Sequence, residues 1–267
     1  MAKTRKKTTS NSANRWTELE KRIVPVDELP NFLKIGIYGR SGTGKTTLLG
    51  TAPKPLLVLD IREEGTKSIR KVPESKVFRV KGWDDIEDIY WYLESNPGKY
   101  KSVGIDGVTT LQDMAKIKVA GPKVGTIVSR RVWADAADLM KPWILTYRDL
   151  PMNVFFIAQD RITEGEDLDD EESLSPEIGP YVMPSVAKIL NGAVDIMGNT
   201  FIREVQKKVK SKSGKIKTED VTEYCLRVGP HSRYVTKFRV DISEGIKVLP
   251  PPVIVNPTFD KLREYVK

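Results

Sequence analysis

Residues 32–50 read "FLKIGIYGRSGTGKTTLLG": an apolar, β-prone run, a glycine-rich loop and a helix-capable run in immediate succession. Gly39, Gly44, Lys45 and Thr46 meet the spacing G-x-x-x-x-G-K-[ST]. The strand before and the helix after are the context that separates a phosphate-binding loop from a chance glycine-rich turn. Glycines let the backbone curl so that successive N–H groups converge on phosphate oxygens, and the helix N-terminus adds partial positive charge. Phosphate contact is therefore expected from Gly39, Arg40, Ser41, Gly42, Thr43, Gly44, Lys45, Thr46 and Thr47. Lys45 is expected on the β- and γ-phosphates of a bound nucleotide, and Thr46 is expected to offer its hydroxyl to Mg²⁺.

Strand and helix signals alternate outward from this loop. "PLLVLDI" (55–61) is short and apolar enough for a buried parallel strand, as are "KSVGIDG" (101–107) and "MNVFFIAQD" (152–160). "KVFRV" reads as a further strand. "DDIEDIYWYLES" carries Ile86, Ile89, Tyr90 and Leu93 at helical spacing, and residues 128–150 read as largely helical with a break at Pro142. Such alternation predicts a three-layer α/β fold with a mostly parallel central sheet. "PSVAKILNG" predicts a helix, and "AVDIMGNTFIREV", "TEYCLRV" and "RYVTKFRV" predict strands of an antiparallel C-terminal extension.

The expected organisation is a basic, unstructured tail at 1–15, a lead-in at 16–32, one nucleotide-binding domain at 33–249 and a C-terminal tail at 250–267. An acidic loop is expected at 160–178, where Glu164, Glu166, Asp167, Asp169, Asp170, Glu171 and Glu172 gather. A basic hairpin is expected at 203–222, with Ser213-Gly214 at its tip and Lys207, Lys208, Lys210, Lys212, Lys215 and Lys217 around it.

With 267 residues, 39% hydrophobic and 8% aromatic, the composition is that of a soluble globular protein, expected in the cytoplasm. No apolar run approaches the roughly 20 residues that cross a bilayer, so no membrane partner is expected. Cys225 is the only cysteine, which excludes an intrachain disulfide or a cysteine-cluster zinc site, and it reads as a buried thiol. His231, the only histidine, reads as a loop residue. A net charge of +8 favours a polyanionic partner. Lys3, Arg5, Lys6 and Lys7 in the tail and the lysines of the hairpin are the candidate phosphate contacts, with a solvated tail and a solvated hairpin as the plain alternatives.

Hydrolysis needs more than the loop. Asp106, after apolar Val103 and Ile105, is placed to hold Mg²⁺ at a strand end. Asp60, Glu63 and Glu64 in "LDIREEGT" are candidates to polarise water, and Gln159 is a candidate to sense the γ-phosphate through its amide.

"GRSGTGKTT", "PLLVLDIREEGTKSI", "SVGIDGVTTL", "VFFIAQD", "GPYVMPSVAKILNGAVDIMG" and "YVTKFRVD", in that order over residues 33–241, resemble the RecA-like ATPases of bacteriophages described as single-strand annealing proteins. The resemblance implies a RecA-like P-loop core, ATP and Mg²⁺ as ligands, and a homo-oligomeric ring or filament in the host cytoplasm. It further implies single-stranded DNA as partner and recombination beside a single-strand-binding protein. The family's D-x-E-G motif lands on Asp60 and Glu64, but this chain is one residue longer there, which leaves Glu63 and Glu64 both open as the residue that aligns water. Gln159 stands where relatives often carry histidine. Glycine follows Asp106 where serine is common. The family's K-x-R pair falls on Lys237 and Arg239, which the resemblance places across a subunit interface from a γ-phosphate.

Three other classes share parts of this pattern: a helicase, helicase loader or packaging ATPase; a non-hydrolysing ATP-binding scaffold; and a small-molecule kinase. Kinase lids usually bring several arginines over the phosphates, whereas the segment in that place here is acidic. The same acidity opposes DNA contact directly after the γ-phosphate-sensing strand.

Overall fold

The computed structural model describes residues 9–121, 129–163, 176–210, 216–240 and 249–266. Two compact units divide the chain, residues 1–31 and residues 32–267. The first contains helix α1 (Thr9–Glu20) and a 3-10 turn at Val26–Glu28. Helix α1 thus starts inside the stretch expected to be an unstructured tail. Ala13, Arg15, Glu18, Leu19 and Glu20 are good helix formers that follow Thr/Ser/Asn residues suited to a helix start.

In the second unit the chain runs β1 (Lys34–Gly39), α2 (Lys45–Leu49), β2 (Leu56–Asp60), β3 (Ser75–Arg79), α3 (Trp83–Glu94), β4 (Ser102–Asp106), α4 (Val108–Ala120), α5 (Arg130–Arg148) and β5 (Asn153–Ala158). It continues through β6 (Asp160–Thr163), β7 (Glu177–Pro180), α6 (Pro184–Ala193), β8 (Ile196–Lys210), β9 (Ile216–Arg227), β10 (Lys237–Phe238), β11 (Val253–Val255) and α7 (Phe259–Arg263). Among the described residues one nine-stranded sheet has the order β11-β9-β8-β1-β5-β4-β2-β3, with β10 also pairing β8. Every pair from β8 through β1, β5, β4 and β2 to β3 is parallel, while β8–β9, β9–β11 and β8–β10 are antiparallel. This is the α/β arrangement with a mostly parallel central sheet expected from the sequence, antiparallel extension included.

The central strands are apolar along their length because both faces are covered. On one face Tyr38, Leu57, Leu59, Val103, Val154 and Phe156 pack with residues of α3, α4, α5 and α6. On the other, Ile35, Ile37, Val58, Phe155 and Ile157 meet Leu48 and Leu49 of α2 and Phe259 and Leu262 of α7. Alternate residues of one strand therefore feed two different cores, as period-two geometry requires.

Several expectations change. Helix α5 runs through Pro142 without a break. Pro142 lies exposed on that helix, where water can satisfy the carbonyl its ring leaves unpaired. Of "RYVTKFRV", only Lys237 and Phe238 are strand, and Arg239 follows it. The expected acidic loop begins and ends in an antiparallel ladder, from Asp160 opposite Pro180 to Thr163 opposite Glu177. Its acidic residues from Glu164 to Glu172 lie outside the described residues, as do Lys3, Arg5, Lys6, Lys7, Lys212, Ser213, Gly214 and Lys215. Residues 250–267 are not a tail: β11 extends the sheet beside β9, and Phe259 and Leu262 are 2% and 0% exposed. Their apolar spacing was too short a signal to stand out after a proline-rich stretch.

Candidate functional site

The order β1-β5-β4-β2 brings four strand ends together, and each carries a residue picked out by type and position. Asp106 ends β4, Asp60 ends β2 directly opposite it, and Gln159 follows β5. The loop after β1 turns through left-handed glycines, with φ of 81° at Gly42 and 88° at Gly44. At Gly44 the left-handed backbone disfavours a side chain, and a Cβ there would also press on the Tyr224 ring at 3.1 Å. Thr43 Oγ1 lies 2.7 Å from Thr200 Oγ1 of β8 and donates to Arg40 O, which pins the loop to the neighbouring strand.

Lys45 is 8% exposed, and its Nζ donates to the carbonyls of Gly39 and Arg40 across 2.7 and 2.8 Å. Burial lowers its pKa, against the raising influence of Asp106 and Glu63. Thr46 Oγ1 donates to Asp106 Oδ2 across 2.8 Å. Burial pushes the Asp106 carboxyl up to about 6; the Thr46 hydroxyl works in the opposite direction, and the charges of Glu63 and Asp60 add to the rise.

Glu63 and Glu64 part company. Asp60 Oδ1 accepts the backbone N–H of both, and the loop places Arg62 and Glu64 at φ of 60° and 50°, strained values for residues with side chains. Glu63 faces inward: its Oε1 accepts from Thr110 Oγ1 across 2.9 Å and its Oε2 from Gln159 Nε2 across 3.0 Å. Glu64 faces solvent and pairs with Lys67, which holds its carboxyl below the usual range. Gly107, at φ 116°, leaves the room that Glu63 occupies, because a Cβ there would come within 2.9 Å of Glu63 Cγ.

Together these groups line a cavity of about 620 Å³ containing the phosphate loop, Glu63, Gly65, Asp106 and Gln159. Thr51, Ser68, Tyr224, Asn256, Pro257 and Thr258 also line it, and sequence reasoning missed them. "NPT" at 256–258 does carry a turn-and-cap signal: Asn256 is left-handed and Thr258 caps α7. That signal marks a helix start but not its position beside a loop more than 200 residues earlier, where Phe259 N donates to Thr51 Oγ1.

The oxygen pair Thr46–Asp106 suits a hard cation such as Mg²⁺, which takes few protein ligands and keeps several waters. Gly65 holds the space open, since a Cβ there would lie 2.6 Å from Thr46 Oγ1 and 3.2 Å from Asp106 Oδ2.

Lys237 and Arg239 lie elsewhere. Lys237 Nζ donates to Asn191 O and Gly192 O, while Arg239 reaches Gly192 O and Asp195 Oδ1, so both engage the C-terminal end of α6. The basic hairpin is an antiparallel pair from Asn199 opposite Arg227 to Lys210 opposite Ile216. Lys207 belongs to an ion cluster there: its Nζ and Arg203 Nε lie 2.7 and 2.8 Å from the Glu223 carboxylate, which is 5% exposed. Lys208, Lys210 and Lys217 lie on the paired strands.

A protein-family model described as an AAA domain matches residues 31–240. A search of curated proteins finds no match. Among solved structures, the flagellar accessory protein FlaH from Methanocaldococcus jannaschii aligns with 90% of this chain and 96% of its own at 11% identity and a TM-score of 0.40. An ATPase from the type III secretion system of pathogenic bacteria aligns with 62% of this chain at 17% identity and a TM-score of 0.34, and the match spans about half of that protein, 51%.

Proposed function

The chain belongs to the family described as an AAA domain, and on that premise we propose that it is a P-loop ATPase that binds single-stranded DNA and hydrolyses ATP at the interfaces of a homo-oligomer, promoting annealing or pairing of strands. The observation that carries the ATPase part is the convergence of Lys45, Thr46 with Asp106, and Glu63 with Gln159 on one cavity. The DNA part is supported by the net charge of +8, by the lysines of the β8–β9 hairpin and by the sequence resemblance.

Lys45 exchanges its two carbonyl partners for β- and γ-phosphate oxygens. Thr46 and Asp106 would hold Mg²⁺, which would supply charge neutralisation for the phosphates. Glu63 accepts the proton of the attacking water, so that ATP and water give ADP and phosphate. Its hydrogen bonds to Thr110 and Gln159 fix the carboxylate before the nucleotide arrives. Gln159, hydrogen-bonded to Glu63, senses the γ-phosphate through its amide. Lys237 and Arg239 serve the γ-phosphate of a neighbouring subunit, which requires them to leave the end of α6 on assembly. A single-strand-binding protein is the expected companion on DNA.

The test is ATP turnover with no nucleic acid, with single-stranded DNA, with duplex DNA and with RNA. Strong stimulation by single strands is expected. Stimulation by duplex alone would replace this reading with a packaging or translocating motor, and equal turnover throughout would remove DNA from the mechanism.

A further inference from the structure

A second cavity of about 620 Å³ shares no lining residue with the phosphate-loop cavity; Trp133 and Ala137 of α5, Arg161 of β6, and Tyr181, Met183 and Ser185 at the start of α6 line it. Its two aromatic rings stay open to solvent, Trp133 at 38% and Tyr181 at 46%. Each has a cation over its ring: Lys116 Nζ lies 4.1 Å from the Trp133 centroid and the Arg161 guanidinium 5.8 Å from the Tyr181 centroid. Lys116 is 17% exposed and also pairs with Asp113, so it holds the indole in place, whereas Arg161 is exposed. Arg130 and Arg131 precede Trp133 by less than one turn at the N-terminal end of α5, where the helix adds positive potential; Arg131 is shared with Asp135.

We propose that this cavity seats bases of single-stranded DNA, stacked on Trp133 and Tyr181, with Arg161 and Arg130 meeting the flanking phosphates. The inference rests on the single-stranded-DNA reading above and deepens it by giving the strand a stacking site. Open aromatic rings beside exposed arginines match the two parts of a nucleotide, a π-face and an anion. An apolar side chain from a protein partner would cover the rings but leave the guanidinium groups without a counter-charge.

Acidic residues set the limits of the site. Asp160 and Glu177 lie on the β6–β7 ladder, and the run from Glu164 to Glu172 continues beyond Thr163. Asp160, opposite Pro180, shares the cavity end of the ladder with Arg161 and Tyr181, whereas Glu177, opposite Thr163, is at the other end. Glu177 stands two strand positions along from Arg161, roughly 7 Å and within about one Debye length at moderate salt. Affinity at this site therefore comes from stacking more than from phosphate charge, and its salt dependence is shallow.

The test measures equilibrium binding of a fluorescent oligothymidylate and of an abasic oligonucleotide of equal length, with Mg²⁺ and a non-hydrolysable ATP analogue present. Trp133→Ala and Tyr181→Ala should each weaken oligothymidylate binding by about 5-fold or more, leave abasic binding unchanged and preserve the salt slope. Trp133→Phe should keep most of the wild-type affinity. Unchanged affinity in both alanine variants would overturn the stacking site while leaving DNA binding intact. Equal weakening on both oligonucleotides would also overturn it, since a merely structural defect acts on both alike. Wild-type protein that binds neither oligonucleotide would overturn the DNA reading itself.

Discussion

Gln159 Nε2 donates to Glu63 Oε2 across 3.0 Å, joining the residue after β5 to the loop after β2 although 96 positions separate them. The bond turns Glu63 into the cavity, whereas Glu64 faces solvent. Glu63→Gln is expected to bind ATP and to slow its hydrolysis by roughly 10²–10⁴, because an amide cannot take the proton of water. Glu64→Gln should stay near wild type, since its carboxylate is in solvent with Lys67. Steady-state turnover of the two variants checks this, and the reverse order of effects would return the role to Glu64.

Gly65 lies against Thr46 and Asp106 with no room for a methyl group. Gly65→Ala should raise the Mg²⁺ concentration needed for half-maximal turnover while leaving Mg²⁺-free nucleotide binding largely intact. A Mg²⁺ titration matching wild type would place the cation away from this pair.

Burial lifts the Asp106 carboxyl from 3.8 to about 6, so the folded chain holds this proton more tightly than the unfolded chain. The ligand-free protein consequently loses stability as pH rises through the window from about 4 to about 6, and the penalty persists above it. Asp106→Asn removes that titration. Its melting temperature should exceed that of wild type near pH 7 and converge with it below about pH 4, while its Mg²⁺-supported turnover collapses. A pH-independent difference in melting temperature would show that charge is not the cause.

Arg239 spans Gly192 O and Asp195, and its exposed pair is worth roughly 0.2–1 kcal/mol. A trans-acting finger would be worth far more in rate: on that proposal Arg239→Ala should bind ATP almost normally and lose DNA-stimulated hydrolysis. Mixing it with Lys45→Ala should restore part of the activity, because intact loops then meet intact fingers. A mixture that co-assembles yet never exceeds the sum of its parts would leave Arg239 as a cap on α6 alone.

The hairpin lysines divide in the same way. Reversing Lys208, Lys210 and Lys212 to glutamate should flatten the salt dependence of single-strand binding by about 0.7 in log–log slope for each phosphate that the hairpin no longer neutralises. Lys207→Ala should change the slope little, because Glu223 already claims that charge. An unaltered slope after the triple reversal would make the hairpin a solvated edge.

The phosphate loop, the core strands and their alternation with helices were legible in the sequence, because glycine spacing and runs of apolar residues are local consequences of backbone geometry and burial. Asp106 and Gln159 were legible for the same reason: each terminates or follows an apolar run, and strand ends in such a sheet share one edge. Tertiary structure alone turned Glu63, and not Glu64, into the cavity. Two carboxylates one position apart differ only in which way a strained loop turns them, and that turn depends on Thr110, Gln159 and the space left by Gly107. It also brought Tyr224 and residues 256–258 to the cavity and sent Lys237 and Arg239 to the end of α6. These placements join residues far apart in the chain, and no short-range period encodes them; they follow from the two packed faces of one sheet.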